Sequence, residues 1–176
     1  LKVVPPNLEN FQINFEAFEE MLTEKVKAVL INTPNNPSGV VYSTPTLQRL
    51  ADVLREKSKE YGHIIYLISD EPYREIVFEG VDSPCVSYFY DNTIMCYSFS
   101  KSLSLPGERI GYVAVNPACE DAETMINIEE TLAALDAAAS VSSLPVMCTM
   151  TVEADGSIFS GGNAVEAAIA LEGAGA

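Results

Sequence analysis

From Phe15 onward the apolar residues Phe15, Phe18, Met21 and Leu22 recur three or four positions apart, the spacing that places them on one face of a helix. Asn14, just ahead, carries the short polar side chain that caps a first turn. The next run, Val26 to Ile31, is almost continuously apolar and opens into a cluster of Pro, Asn and Gly, which predicts a strand buried on both faces of a parallel sheet. Ser43-Thr44-Pro45 predicts a helix start, a hydroxyl cap followed by proline in the first turn, with Leu47, Leu50, Val53 and Leu54 as its buried stripe. Gly62 ends that helix. Further strands are expected over Ile64 to Ile68, Thr93 to Phe99 and Arg109 to Val115. Leu1 to Val4 reads as the tail of another, stopped by Pro5-Pro6-Asn7.

Strand alternating with helix implies an α/β fold with a doubly wound, mostly parallel sheet. Such sheets bind ligands in the crevice outside the carboxyl ends of their strands, which is where Asn36, Asp70 and Lys101 fall. After Asn116-Pro117 the character changes. Glu120 to Ser140 is helix-like and increasingly alanine-rich, and Leu144-Pro145 breaks it. Val146 to Val152 then reads as a strand, Ala154 to Ser157 as a turn, and Asn163 to Leu171 as a small-residue helix, giving a C-terminal α/β tail. There is no internal repeat.

Composition narrows the function. A chain of 176 residues with 48% hydrophobic residues can bury a sizeable core. With 25 acidic against 10 basic residues the formal charge is -15, which repels phosphate backbones and anionic lipid, so neither nucleic acid nor membrane is an expected partner. No apolar run approaches the roughly 20 residues of a membrane span and no leader pattern opens the chain, so a soluble cytoplasmic protein is expected. Cys85, Cys96, Cys119 and Cys148 lack the short paired spacing of a zinc or redox site and read as reduced thiols. His63 is the only histidine, so a metal site or a histidine-based triad would have to be built almost wholly from other residue types.

Four segments carry candidate chemistry: Asn32-Thr33-Pro34-Asn35-Asn36-Pro37-Ser38-Gly39, Ser69-Asp70-Glu71-Pro72-Tyr73, Ser98-Phe99-Ser100-Lys101 and Pro106-Gly107-Glu108-Arg109. Taken singly, each has an ordinary alternative: a proline turn, a capping carboxylate, an exposed lysine, a surface ion pair of Arg109 with Glu108. A lysine can form a Schiff base with an aldehyde once its amine is desolvated or crowded by charge. A carboxylate at the end of an apolar strand, as at Asp70, calls for a cationic partner. An arginine fork with nearby hydroxyls suits a phosphate.

As a set, in this order and with gaps of 34, 31 and 8 residues between Asn36, Asp70, Lys101 and Arg109, the four segments resemble the fold-type I, class I/II aminotransferases, which use pyridoxal 5′-phosphate. The resemblance covers about residues 1–125 and implies a large-domain fragment of that fold. It implies that Lys101 is the catalytic Schiff-base lysine. Asp70 then keeps the coenzyme's ring nitrogen protonated, and Asn36 with Tyr73 hydrogen-bonds its phenolic oxygen. Ser98, Ser100 and Arg109 hold the phosphate. Pro37 follows a cis bond in the family. Gly107 and Gly111 read as room for close backbone approach. The implied reaction moves an amino group between an amino acid and a 2-oxo acid, in a homodimer. A pyridoxal-phosphate lyase, or a non-catalytic coenzyme-binding or assembly module, carries the same residues. The family's ring-stacking aromatic, further phosphate donors and substrate-gripping arginine have no counterparts in this chain, so the isolated chain is expected to be incomplete. From about residue 128, Glu129-Glu130-Thr131, Leu144 to Thr151, Asp155-Gly156 and Ser160-Gly161 resemble a stretch of the homocysteine S-methyltransferase barrel, so residues 126–176 are expected to be a diverged or chimeric tail.

Overall fold

The structure, a computed structural model, describes residues 2–127, 147–149, 151–152 and 158–159. Helix α1 spans Phe15–Met21, and the Asn14 side chain accepts from the Ala17 amide at 3.3 Å, as its position implies. Helix α2 spans Thr44–Tyr61, capped by Ser43, whose Oγ accepts from the Thr46 amide at 3.3 Å, and closed by Gly62 at φ 69. Leu47, Leu50, Ala51 and Leu54 of α2 join Phe18 and Leu22 against Ile31, Ile65, Leu67, Val86 and Tyr90, and this cluster is the core.

Strands β1 (Ala28–Asn32), β2 (Tyr66–Asp70), β3 (Thr93–Ser98), β4 (Gly111–Val115) and β5 (Met147–Thr149) form one sheet in that order. The β1–β2, β2–β3 and β4–β5 pairings are parallel and β3–β4 is antiparallel, so the sheet is mostly parallel, as expected. Between β3 and β4 the chain makes only the one-turn helix α3 (Phe99–Ser102) and a turn, and it returns along the same edge, so β4 has to run backwards. A two-stranded antiparallel ribbon pairs β6 (Thr151–Val152) with β7 (Ile158–Phe159).

Several boundaries move for identifiable reasons. Residues 2–4 form no strand; two prolines follow without an N–H to give a ladder. Strand β2 starts after Ile65, because the Ile65 amide donates to Ser58 Oγ at 3.0 Å rather than to a neighbouring strand. Strand β4 starts at Gly111 rather than Arg109, whose φ of 55 is left-handed and breaks extended structure. Strand β1 is not buried on both faces: Ile31 lies in the core, while Leu30 is 66% exposed. The reason is the alternation of side chains along the strand: α1 and α2 pack on the Val29 and Ile31 face, and Leu30 projects from the other. The opposite face is approached by the segment after β4, where Cys119 is buried and the Tyr66 hydroxyl bonds to Asp121. Residues 122–127 are helical. The remainder of the helix expected to Ser140, the turn at Ala154 to Ser157 and the helix at Asn163 to Leu171 lie outside the described residues.

Candidate functional site

Parallel pairing puts the carboxyl ends of β1 and β2 level, with Asn32 opposite Asp70 and Asp70 opposite Cys96. Reversal at β4 brings its amino end to the same edge, with Gly111 opposite Ser98. The four chemistry-bearing segments, dispersed over residues 32–109, therefore emerge at one edge of one sheet.

Within that edge the side chains make specific contacts. Asn36 Nδ2 donates to Tyr73 Oη at 3.0 Å, and Lys101 Nζ stands 5.7 Å from the centre of the Tyr73 ring. Three of the predicted residues thus form one cluster around Tyr73. The peptides before Pro34 and Pro37 are both cis. Lys101 owes its place to α3, a single turn whose N-cap is Ser98; Ser98 Oγ accepts from the Ser100 amide at 3.1 Å and donates to Ser100 Oγ at 2.8 Å. Asn36 and Lys101 are exposed, whereas Asp70, Tyr73, Ser98 and Ser100 are half-buried.

Asp70 and Glu71 are adjacent acids that the strand's alternation separates. Glu71 is 1% exposed and fully engaged: Ser69 Oγ donates to Oε1 at 2.8 Å and Arg74 Nη1 to Oε2 at 2.9 Å. That makes it a structural carboxylate. Asp70 projects to the other face, where burial pushes its carboxyl above the ordinary carboxylate range. A cation placed against it would be favoured.

Arg109 reaches the same edge through its backbone, two residues before Gly111, but its guanidinium turns back on its own loop and donates to Pro106 O at 3.3 Å. The structure does not bring it to the Ser98 and Ser100 hydroxyls. Gly111 is a position of close approach: a Cβ there would sit 2.3 Å from Tyr97 O. Gly107 is not, since a Cβ would meet nothing within 4 Å.

Two further sets of residues support the cluster without having been singled out by sequence. Asn32 reaches both Asp70 and the Asn36 loop; its signal was its place at the end of β1 inside the Asn32 to Gly39 segment. Tyr97 Oη donates to Glu75 Oε2 at 2.8 Å and lies 2.7 Å from Ser102 Oγ, joining the turn after Asp70 to the helix of Lys101. Within β3 nothing in the sequence distinguishes Tyr97 from an ordinary core aromatic, and it does stack on Tyr112, ring centres 4.9 Å apart. Among the described residues no group of acidic, histidine or cysteine side chains could hold a metal, and no helix is long and apolar enough to cross a membrane.

An open α/β sheet gathers an amine, a desolvated carboxylate and a hydrogen-bonded amide–phenol pair at one edge, the layout of a candidate ligand site. The family model for aminotransferase class I and II matches residues 1–169. The chain belongs to that family. It is 37% identical over 120 residues to a probable aspartate aminotransferase of Methanocaldococcus jannaschii, covering 68% of this chain and 30% of that protein. The aspartate aminotransferase of Thermotoga maritima is 40% identical over 107 residues, covering 60% and 27%. Among solved structures, an amino transferase from Eubacterium rectale matches with a TM-score of 0.67 at 56% identity, covering 68% of this chain and 30% of that one. Aspartate aminotransferase from Thermus thermophilus matches with a TM-score of 0.57 at 29% identity, covering 71% and 31%. The chain spans under a third of the length of each of these relatives.

Proposed function

We propose that this chain supplies the coenzyme-binding core for pyridoxal 5′-phosphate-dependent transfer of an amino group between an amino acid and a 2-oxo acid. The observation that carries the reading is the Tyr73 cluster, with the Asn36 amide 3.0 Å from its hydroxyl and the Lys101 amine 5.7 Å from its ring, at the same sheet edge as Asp70.

The donor set fits that coenzyme. Burial raises the carboxyl of Asp70, and a protonated pyridine nitrogen is the kind of cation that would relieve it. Asn36 Nδ2 and Tyr73 Oη are neighbouring hydrogen-bond donors suited to a phenolic oxygen, and donation to its anion favours that ionised state. Lys101 Nζ, held on α3, is the amine for attachment and for moving a proton at the substrate α-carbon. Ser98, Ser100 and the Arg109 guanidinium are assigned to the phosphate, Arg109 by swinging away from Pro106 O. When bound, the coenzyme supplies an electron sink for the pair left at the α-carbon.

In this reading residues 1–125 are the large-domain portion, residues 126–176 are a diverged or chimeric tail, and the working protein is a cytoplasmic homodimer. Reduction with borohydride in the presence of pyridoxal 5′-phosphate, followed by peptide mapping, tests it. A coenzyme label on Lys101, absent in Lys101→Ala, is expected; a label elsewhere, or none, overturns it.

A further inference from the structure

Asn32 is the last residue of β1 and faces Asp70 across the β1–β2 pairing. Its side chain is used at both ends. Nδ2 donates to Asp70 O at 2.9 Å and to Asp70 Oδ2 at 3.3 Å, while Oδ1 accepts from the Asn36 amide at 2.9 Å and from Asn35 Nδ2 at 3.3 Å. Two acceptors on one side and two donors on the other leave a single consistent orientation of the amide. Only a side chain with donor and acceptor on one short planar group makes this bridge. Aspartate would set oxygen against the Asp70 carboxylate, and alanine reaches neither side.

We propose that Asn32 is a positioning residue, a clamp that fixes the Asp70 carboxylate and the Asn36 loop relative to each other. It rests on the proposed function, in which Asp70 and Asn36 engage different atoms of one rigid ring. Their mutual spacing then decides whether both bonds form together, and pre-setting it removes an ordering cost from binding. Donation to Oδ2 also holds one carboxylate oxygen in place, leaving the other for a ligand cation. The adjacent backbone reinforces the same joint, since the Thr33 amide donates to Asp70 O at 3.2 Å.

Two measurements on the full chain test the clamp. Without coenzyme, exchange of the Asn36 amide should speed up about fivefold in Asn32→Ala, and stay within about twofold of wild type in Asn32→Asp, which keeps the acceptor. With pyridoxal 5′-phosphate titrated by absorbance, Asn32→Ala should weaken affinity about tenfold in the wild-type background and less than about twofold in Asp70→Asn. A general structural defect would instead give the same loss in both backgrounds. Equal losses, or equal exchange in all three proteins, overturn the inference. The exchange arm needs no coenzyme, so an unlabelled Lys101 would sink the proposed function while the clamp itself stands or falls on Asn36.

Discussion

Gly111→Ala probes the joint on which the site is hung. Gly111 faces Ser98 across the antiparallel β3–β4 pairing, and a Cβ there would lie 2.3 Å from Tyr97 O and 3.4 Å from Ser98 Cα. Both obstacles are backbone atoms, so no rotamer change removes the clash. To reach ordinary van der Waals distance the two strands must part by about 1 Å at this pair, which stretches the adjoining ladder bonds. Forced overpacking of this kind costs about 1–3 kcal/mol. For a chain of this size that lowers the midpoint of thermal unfolding by roughly 2–12 °C. The displacement also moves Ser98, the N-cap of the turn that carries Lys101, so labelling of Lys101 by coenzyme and borohydride should fall with it. Gly107→Ala is the control: nothing lies within 4 Å of its Cβ position, and its change should stay within about 0.5 kcal/mol. Urea unfolding followed by circular dichroism measures both variants. Gly111→Ala indistinguishable from Gly107→Ala would refute the close-approach argument.

The remaining predictions concern polar groups wholly or partly buried beside the site. Burial raises the Asp70 carboxyl above its ordinary 3.8, so its contribution to stability is fully present below 3.8 and is lost as pH rises through the folded-state value. Asp70→Asn should therefore stabilise the coenzyme-free chain at pH 7 and flatten that part of the pH profile; urea midpoints from pH 3 to 8 that leave it no more stable than wild type would contradict this. Arg74→Met leaves the buried Glu71 carboxylate without its guanidinium and should cost about 3 kcal/mol, with Glu71→Gln in the same chain recovering part of the loss, both read by urea unfolding. Tyr97→Phe removes the hydroxyl between Glu75 and Ser102 and should cost about 1–2 kcal/mol, again by urea unfolding.

Local physics made much of this protein legible from its residues. Asn14, Ser43 and Gly62 cap helices where their side chains or conformational freedom suit them, because capping is decided within four residues of chain. The four segments that mark the family were readable for a similar reason: each is a short block with its own chemistry, and their order survives without any knowledge of space. Tertiary structure decided what those blocks touch. Asp70 and Glu71 are adjacent acids in the chain, and the sheet buries Glu71 against Ser69 and Arg74 while turning Asp70 to the opposite face. Leu30 sits in an apolar run that reads as wholly interior, yet α1 and α2 pack on the Val29 and Ile31 face and Leu30 projects from the other. The roles of Asn32 and Tyr97 depend on partners 38 and 22 residues away, which no local pattern can announce. The same holds for Gly107 and Gly111: the residues are identical, and the difference between open space and a 2.3 Å clash comes from the strand that folds back alongside one of them.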